Sequence, residues 1–228
     1  MSVRAAVVVF PGSNCELDCM RSLTLTGFEP TTVWHQEKSL PEVDVVVLPG
    51  GFAHGDYLRT GAIARFSPVM DAVREHSESG GLVLGICNGF QILCEAGLLP
   101  GAFRKNSGLK FLCRWTAVRV DNADTPFTRS ASKGSVLNIP INHFEGNWYC
   151  RPSDLKRLRT NDQIVLRYVD NPNGSLDDIA GVTNEQKNVL GLMPHPERAC
   201  ESLLGSEDGA LIFRSIRESV TSRAAVTG

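Results

Sequence analysis

Four stretches of this chain, residues 5–10, 43–48, 82–86 and 189–193, are apolar at almost every position and rich in valine, leucine and isoleucine. They do not alternate with polar residues. Strands buried on both faces of a parallel sheet have this character, because helices cover them above and below. Residues 31–35 are a further candidate strand. Between the runs the apolar spacing turns helical. One helix is predicted over residues 16–26 with Asn14 ahead of it as N-cap, one over 68–79 stopped by Gly80 and Gly81, and one over 88–96 stopped by Gly97. Near the C-terminus, Ser206 is expected to cap another, with Glu207 and Asp208 in its first turn and Ile212, Phe213, Ile216 and Val220 as its apolar stripe. Strand and helix in alternation predict a doubly wound, mostly parallel α/β sheet.

Residues 109–182 follow another pattern. Phe111, Cys113, Trp115 and Ala117 alternate with Leu112, Arg114 and Thr116. Residues 136–141, 164–169 and 179–183 read as further strands, and Asn171-Pro172-Asn173-Gly174 as a turn. This predicts a small antiparallel unit, either an insertion or an extension of the main sheet's edge. With no repeat, low-complexity tract or linker, residues 1–228 are expected to form one domain.

Composition narrows the function classes. A 42% hydrophobic share supports a packed core and excludes general disorder. A formal charge of −2 argues against a nucleic-acid binder or a membrane-surface protein. No apolar run approaches the ~20 residues needed to cross a bilayer. The chain has seven cysteines, an odd number, and no secretory leader is visible, so a reducing cytoplasm is expected. Cys15 and Cys19 are the closest pair, and nothing nearby completes four zinc ligands, so no metal site is expected.

Each apolar run ends in an unusual turn: Pro11-Gly12-Ser13-Asn14, Pro49-Gly50-Gly51-Phe52, Cys87-Asn88-Gly89 and Pro194-His195-Pro196-Glu197. In open parallel sheets, ligands bind outside the carboxyl ends of the strands, so the four turns are candidates for one crevice. Gly85-Ile86-Cys87-Asn88-Gly89 has the glycine-x-nucleophile-x-glycine spacing of a strand-to-helix elbow that lifts a side chain above the sheet. An isolated match of this kind is more often a buried structural cysteine. The strand before it and the helix after it favour a nucleophile. The Asn88 N–H then lies where an oxyanion would form, and Gln91 sits one helical turn above Cys87. Gly51 is a candidate second oxyanion donor, although a Gly-Gly pair is commonly just a tight turn.

A thiol nucleophile needs a base, and the base needs orienting. The histidines are His35, His54, His76, His143 and His195. His76 falls in a polar helix and is expected to be solvated. Pro196 biases His195 towards extended backbone, where residues two apart share a face. Glu197 can then hold one imidazole nitrogen while the other faces Cys87.

These residues resemble the class I (triad) glutamine amidotransferases. Phe10-Pro11-Gly12-Ser13-Asn14-Cys15, the run from Pro49 through His54-Gly55-Asp56-Tyr57-Leu58-Arg59, Asn171-Pro172-Asn173-Gly174-Ser175 and Met193-Pro194-His195-Pro196-Glu197-Arg198 narrow the likeness to the glutaminase subunits of phosphoribosylformylglycinamidine synthases. The resemblance spans nearly the whole chain and implies the flavodoxin-like fold of that family. It also implies that Cys87 attacks L-glutamine, that His195 handles the protons and that Glu197 orients His195. Gly51 and Asn88 would hold the oxyanion, Gln91 would line the site, and Asn106 and Ser107 would contact glutamine. Asn142 and Phe144 stand where the family pattern carries smaller residues, leaving His143 either structural or partner-facing. The chain has no phosphate-binding loop and no cofactor of its own is expected. By resemblance, ATP and Mg belong to a large synthetase subunit that receives the ammonia, with a small third subunit completing the complex. The cluster Arg151, Lys156, Arg157 and Arg159 reads as a solvated face or a partner contact. Against this stand an amidotransferase subunit for another acceptor, a stand-alone cysteine hydrolase, and a non-enzymatic regulatory scaffold; the intact Cys, His and Glu set argues against the last.

Overall fold

In the computed structural model, which describes residues 2–227, the apolar runs become neighbouring strands. In chain order the elements are β1 (Val3–Val9), α1 (Glu16–Leu25), β2 (Phe28–Trp34), β3 (Val45–Leu48), α2 (Val69–Glu78), β4 (Leu82–Ile86), α3 (Asn88–Glu95), β5 (Ala102–Arg104), β6 (Leu112–Val120), β7 (Val136–His143), β8 (Asn147–Tyr149), α4 (Pro152–Thr160), β9 (Ile164–Tyr168), β10 (Ile179–Thr183), β11 (Val189–Leu192) and α5 (Ala210–Thr227). Nine strands form one sheet in the order β2-β1-β3-β4-β11-β10-β9-β6-β7. Pairings from β2 to β11 are parallel. Pairings from β11 out to β7 are antiparallel.

Every residue of β3, β4 and β11 is buried, as their unbroken apolar sequences require. The chain winds from β1 outwards to β2, then returns past β1 to β3, β4 and finally β11. Right-handed crossovers therefore place α1 on one face and α2 and α3 on the other. Helix α5 packs with α1 over β1. The winding reverses between β1 and β3, and there Ser13 forms an isolated antiparallel bridge with Gly51. That reversal is the place where an open α/β sheet offers a crevice.

The antiparallel region extends the edge of the same sheet. Strand β7 alternates exposed and buried residues, the signature of a strand with one solvated face. The hydrophobic pattern missed β5 and β8, three residues each, which pair only with one another. It also missed α4, the basic cluster, whose one buried residue is Leu158. There Arg151 and Arg157 pair with Asp154, and Arg159 with Asp177, so the cluster is a solvated face carrying its own counter-ions.

Two caps differ from expectation. Helix α1 begins after Cys15, and the Asn14 side chain accepts from the Cys15 thiol (3.2 Å) instead of capping. Ser206 accepts from the Asp208 N–H (3.1 Å), but α5 starts only at Ala210. Gly209 is drawn towards the turn at residues 196–199, where its N–H donates to Ala199 O (2.8 Å) and Pro196 leaves no room for a Cβ. Among the described residues, no helix is long and apolar enough to cross a membrane.

Candidate active site

The elbow is built by what its glycines lack. Cys87 has φ 49° and ψ −104°, a conformation that costs a residue with a Cβ of order 1–3 kcal/mol. Gly85 lies against Leu93 and the Gly89 backbone, where an added Cβ would be 2.5 Å from Leu93 Cδ1. A Cβ on Gly89 would overlap the Leu48 carbonyl oxygen of the adjacent strand. The elbow helix can thus sit tight on β3 and β4 only with glycine at both positions. Cys87 N–H donates to Leu192 O (2.8 Å), tying the elbow to the end of β11.

Strand β11 lies beside β4 and leads into His195, the candidate base. His195 Nδ1 donates to Glu197 Oε1 at 2.6 Å, with the two side chains 1% and 0% exposed. Among the described residues, His195 Nε2 is buried without a hydrogen-bond partner. With Nδ1 engaged, Nε2 is the nitrogen left to serve Cys87. Burial alone would lower the His195 pKa, but the charges of Glu197 and Cys87 hold it well above the ordinary histidine value. A carboxylate-bound imidazole of this kind favours the imidazolium that forms when a thiol gives up its proton.

The other two turns meet at the sheet's reversal. Asn14 and Cys15 N–H groups point at Gly50 O (3.3 Å each), and Phe52 N–H donates to Gly12 O (2.8 Å). Gly51 sits between these contacts, and a Cβ there would fall 2.7 Å from Gly12 O. The Asn88 side chain locks this turn to the elbow: its Oδ1 accepts from Ala53 N–H (2.9 Å), and its Nδ2 donates to Gln91 Oε1 (2.9 Å). Gln91 in turn donates to Glu145 O (2.6 Å), which pins the loop opposite.

A cavity of about 190 Å³ opens onto Cys87, lined by Gly51, Phe52, Asp56, Thr60, Gln91 and residues 142–145. The structure thus brings Cys87, Gly51 and Gln91 to one cavity, with Asn88 behind it and His195 and Glu197 beside the elbow. Asp56 stands out in the sequence only as part of the family-like run at 49–59, and Thr60 and Glu145 carry no local signal. Burial raises the Asp56 pKa, and the neighbouring Glu145 adds to the rise. A larger cavity of about 630 Å³ lies in the antiparallel region, but its lining includes no residue of the four turns, and the Arg119–Asp121 and Arg167–Asp121 pairs are part of its wall.

Asn106 and Ser107 do not line the cavity beside Cys87. Asn106 is buried and structural: its Nδ2 donates to Lys110 O and His143 O, and its Oδ1 accepts from Gly146 N–H and faces His143 Nδ1 at 3.1 Å. Ser107 is exposed, packed on Gly174. His143 is structural too. Between Asn106 and Asn173 it is buried, and desolvation pushes its pKa down to about 3. Asn173, legible only as a turn residue, is wholly buried and donates to Gly146 O (2.9 Å). His76 is half-buried rather than fully solvated: its ring lies over Gly81, and burial lowers its pKa.

Sequence reasoning also left Cys15 without a role. Its sulfur, His195 and Glu197 present ligand atoms within 4.8 Å of one another, a geometry that suits a metal ion. The group already holds a cation, because Arg198 Nη2 donates to Cys15 Sγ at 3.1 Å. A second positive charge would meet that guanidinium.

Comparison with known proteins gives a consistent picture. The family model for the CobB/CobQ-like glutamine amidotransferase domain matches residues 2–208. The phosphoribosylformylglycinamidine synthase subunit PurQ of Salinibacter ruber is 53% identical, over 99% of this chain and 100% of its own length. The same-named subunit of Rubrobacter xylanophilus is 54% identical over 94% of this chain and 97% of its own. Among solved structures, PurLQS from Thermotoga maritima contains a chain with a TM-score of 0.89 and 47% identity, covering 96% of this chain and 99% of that one. The glutaminase domain of Trypanosoma brucei CTPS shares the fold, with a TM-score of 0.64 and 14% identity over 97% of this chain and 94% of that one.

Proposed function

This chain belongs to the CobB/CobQ-like glutamine amidotransferase family, in the branch of the phosphoribosylformylglycinamidine synthase PurQ subunits, and from that membership we propose that it is the glutaminase subunit of such a synthase. As a single domain it hydrolyses L-glutamine and passes the ammonia to a synthetase subunit. That partner uses ATP and Mg to convert formylglycinamide ribonucleotide to formylglycinamidine ribonucleotide, and a small third subunit completes the complex. The seven cysteines, all unpaired, suit a cytoplasmic setting.

The mechanism follows from the turns. His195 takes the Cys87 proton, and the sulfur attacks the glutamine carboxamide carbon. The N–H groups of Gly51 and Asn88 hold the resulting oxyanion. The imidazolium gives its proton to the departing nitrogen, ammonia leaves, and a γ-glutamyl thioester remains on Cys87. His195 then draws a proton from water and the hydroxide attacks the thioester; the C–S bond breaks, glutamate leaves, and the imidazolium returns its proton to the Cys87 sulfur. Glu197 stabilises the imidazolium throughout. The observation that carries this reading is a strained, cavity-facing Cys87 next to a strand that ends in a buried His195–Glu197 pair.

The test is the Cys87→Ala variant reconstituted with its synthetase partner. Glutamine-dependent formation of formylglycinamidine ribonucleotide should be lost while ammonia-dependent formation persists. Retained glutamine use would overturn the reading.

A further inference from the structure

We propose that Arg198 is the positioning residue of the triad's base half: gripped by one face of helix α1, it fixes the turn on which Glu197 holds His195 towards Cys87. The proposal rests on the reading of Cys87, His195 and Glu197 as the catalytic set.

Glu197 cannot be oriented by its own hydrogen bonds. One carboxylate oxygen bonds His195, while Oε2 is buried and has no hydrogen-bond partner among the described residues. A buried carboxylate with one free oxygen keeps its direction only if its backbone and its neighbours impose it. Those neighbours come from α1. Cys15, Asp18 and Ser22 follow one another at the spacing of a single helical face. Ser22 Oγ donates to the Glu197 carbonyl at 2.7 Å. Arg198 Nε donates to Asp18 Oδ2 at 3.1 Å, and its Nη2 donates to Cys15 Sγ at the same distance. One turn further out, Arg21 forms a two-point pair with Glu201 (2.6 and 2.7 Å).

Arg198 is the centre of this grip. Its planar fork reaches two acceptors at fixed angles, which the single ammonium of a lysine cannot reproduce. Its charge interacts with Glu197 as well as with Cys15 and Asp18. The Cys15 sulfur lies 3.9 Å from His195 Nδ1, so the guanidinium, the thiol and the imidazole are stacked in sequence. Gly50 closes the far side: a Cβ there would fall 2.7 Å from His195 Cε1 and 3.0 Å from Cys15 Sγ. The imidazole is held between that backbone and the grip of α1. Burial raises the Cys15 thiol pKa, which suits a neutral spacer rather than a second nucleophile.

The experiment uses the complex reconstituted with its synthetase partner and measures Arg198→Lys, Arg198→Gln and Asp18→Asn, each alone and with Glu197→Gln. Misplacement of a reacting group by about 1 Å costs on the order of 100-fold. Arg198→Gln should therefore lower kcat for glutamine by about that factor and Arg198→Lys by less, with the glutamine KM and the ammonia-dependent rate unchanged. In the Glu197→Gln background the Arg198 changes should add nothing, because Arg198 acts through Glu197. Losses that multiply in the double variants, or a raised KM at constant kcat, would overturn the proposal. So would ammonia- and glutamine-dependent rates falling together with the melting temperature, which marks a merely structural role. Asp18→Asn leaves Arg198 in place and loosens one tether, so it gives a reading even if the Arg198 variants fold poorly. Cys87→Ala is the control: if it keeps glutamine use, the catalytic reading fails. If it is inactive while the folded Arg198 and Asp18 variants are fully active, only the positioning role fails.

Discussion

The turn that carries Cys87 and the turn that carries His195 lie at the ends of adjacent strands, yet they are held by different means. The elbow is fixed by close backbone approach: Gly85 against Gly89, Gly89 against the Leu48 carbonyl, and Cys87 forced to a positive φ. The base turn also meets close backbone at Gly50 and Gly209, but what it has in addition is a grip of side chains from α1 and the Cys15 ahead of it. A sterically defined turn tolerates no intermediate. A side-chain grip can be loosened one contact at a time. The elbow therefore sets whether the site exists, and the base turn sets how well it is aligned.

The largest break in this contrast is Gly89→Ala. Its Cβ meets a backbone oxygen that cannot step aside, so stability should fall by about 4 kcal/mol or more, read by urea unfolding. A mild loss would show that the elbow yields as the base turn does.

Sterics do not titrate, whereas the wall facing both turns does. The folded state keeps His143 neutral down to about pH 3, against 6.5 for a free histidine. Below 6.5 the unfolded chain binds the extra proton first. The stabilisation is therefore complete above 6.5 and is lost as pH falls from there towards 3, by about 3–5 kcal/mol in all. Chemical unfolding between pH 7 and 4 should show this decline, and His143→Gln should flatten it. An unchanged slope in that variant would remove His143 as the cause.

The smallest effect sharpens the contrast most. Glycine usually destabilises relative to alanine, but at Cys87 the backbone conformation reverses the order. Cys87→Gly should be more stable than Cys87→Ala by about 1–2 kcal/mol, with both lacking glutamine-dependent activity. Equal melting temperatures would mean that the elbow stores no strain.

How much was legible follows the same division. The parallel strands are continuous apolar runs, and the glycines of the elbow are a local sequence signal, so the nucleophile and its strand could be found together. His195 and Glu197 could be paired because Pro196 restricts the chain between them. Cys15 and Arg198 lie far apart in sequence, and no local pattern joins them. The same holds for the antiparallel region. Its strands alternate recognisably, but its wall of the cavity is held by Asn106, His143 and Asn173, buried polar residues whose mutual bonds exist only after folding. Turn chemistry explains the presence of Asn173, not its burial. The family likeness drew Asn106 towards the substrate, whereas the fold uses it to hold the 143–146 loop.

The position of β11 between β4 and β10 has a consequence for synthesis. The chain leaves the ribosome with its nucleophile strand long before the strand that carries the base. Until β11 arrives, β4 has an open edge and the parallel and antiparallel halves of the sheet have no seam. Closing that seam requires the whole intervening segment to be in place, a non-local step of the kind that is slow in folding. A partly made chain thus carries Cys87 without the His195–Glu197 pair, which comes to its side only as the sheet is sealed.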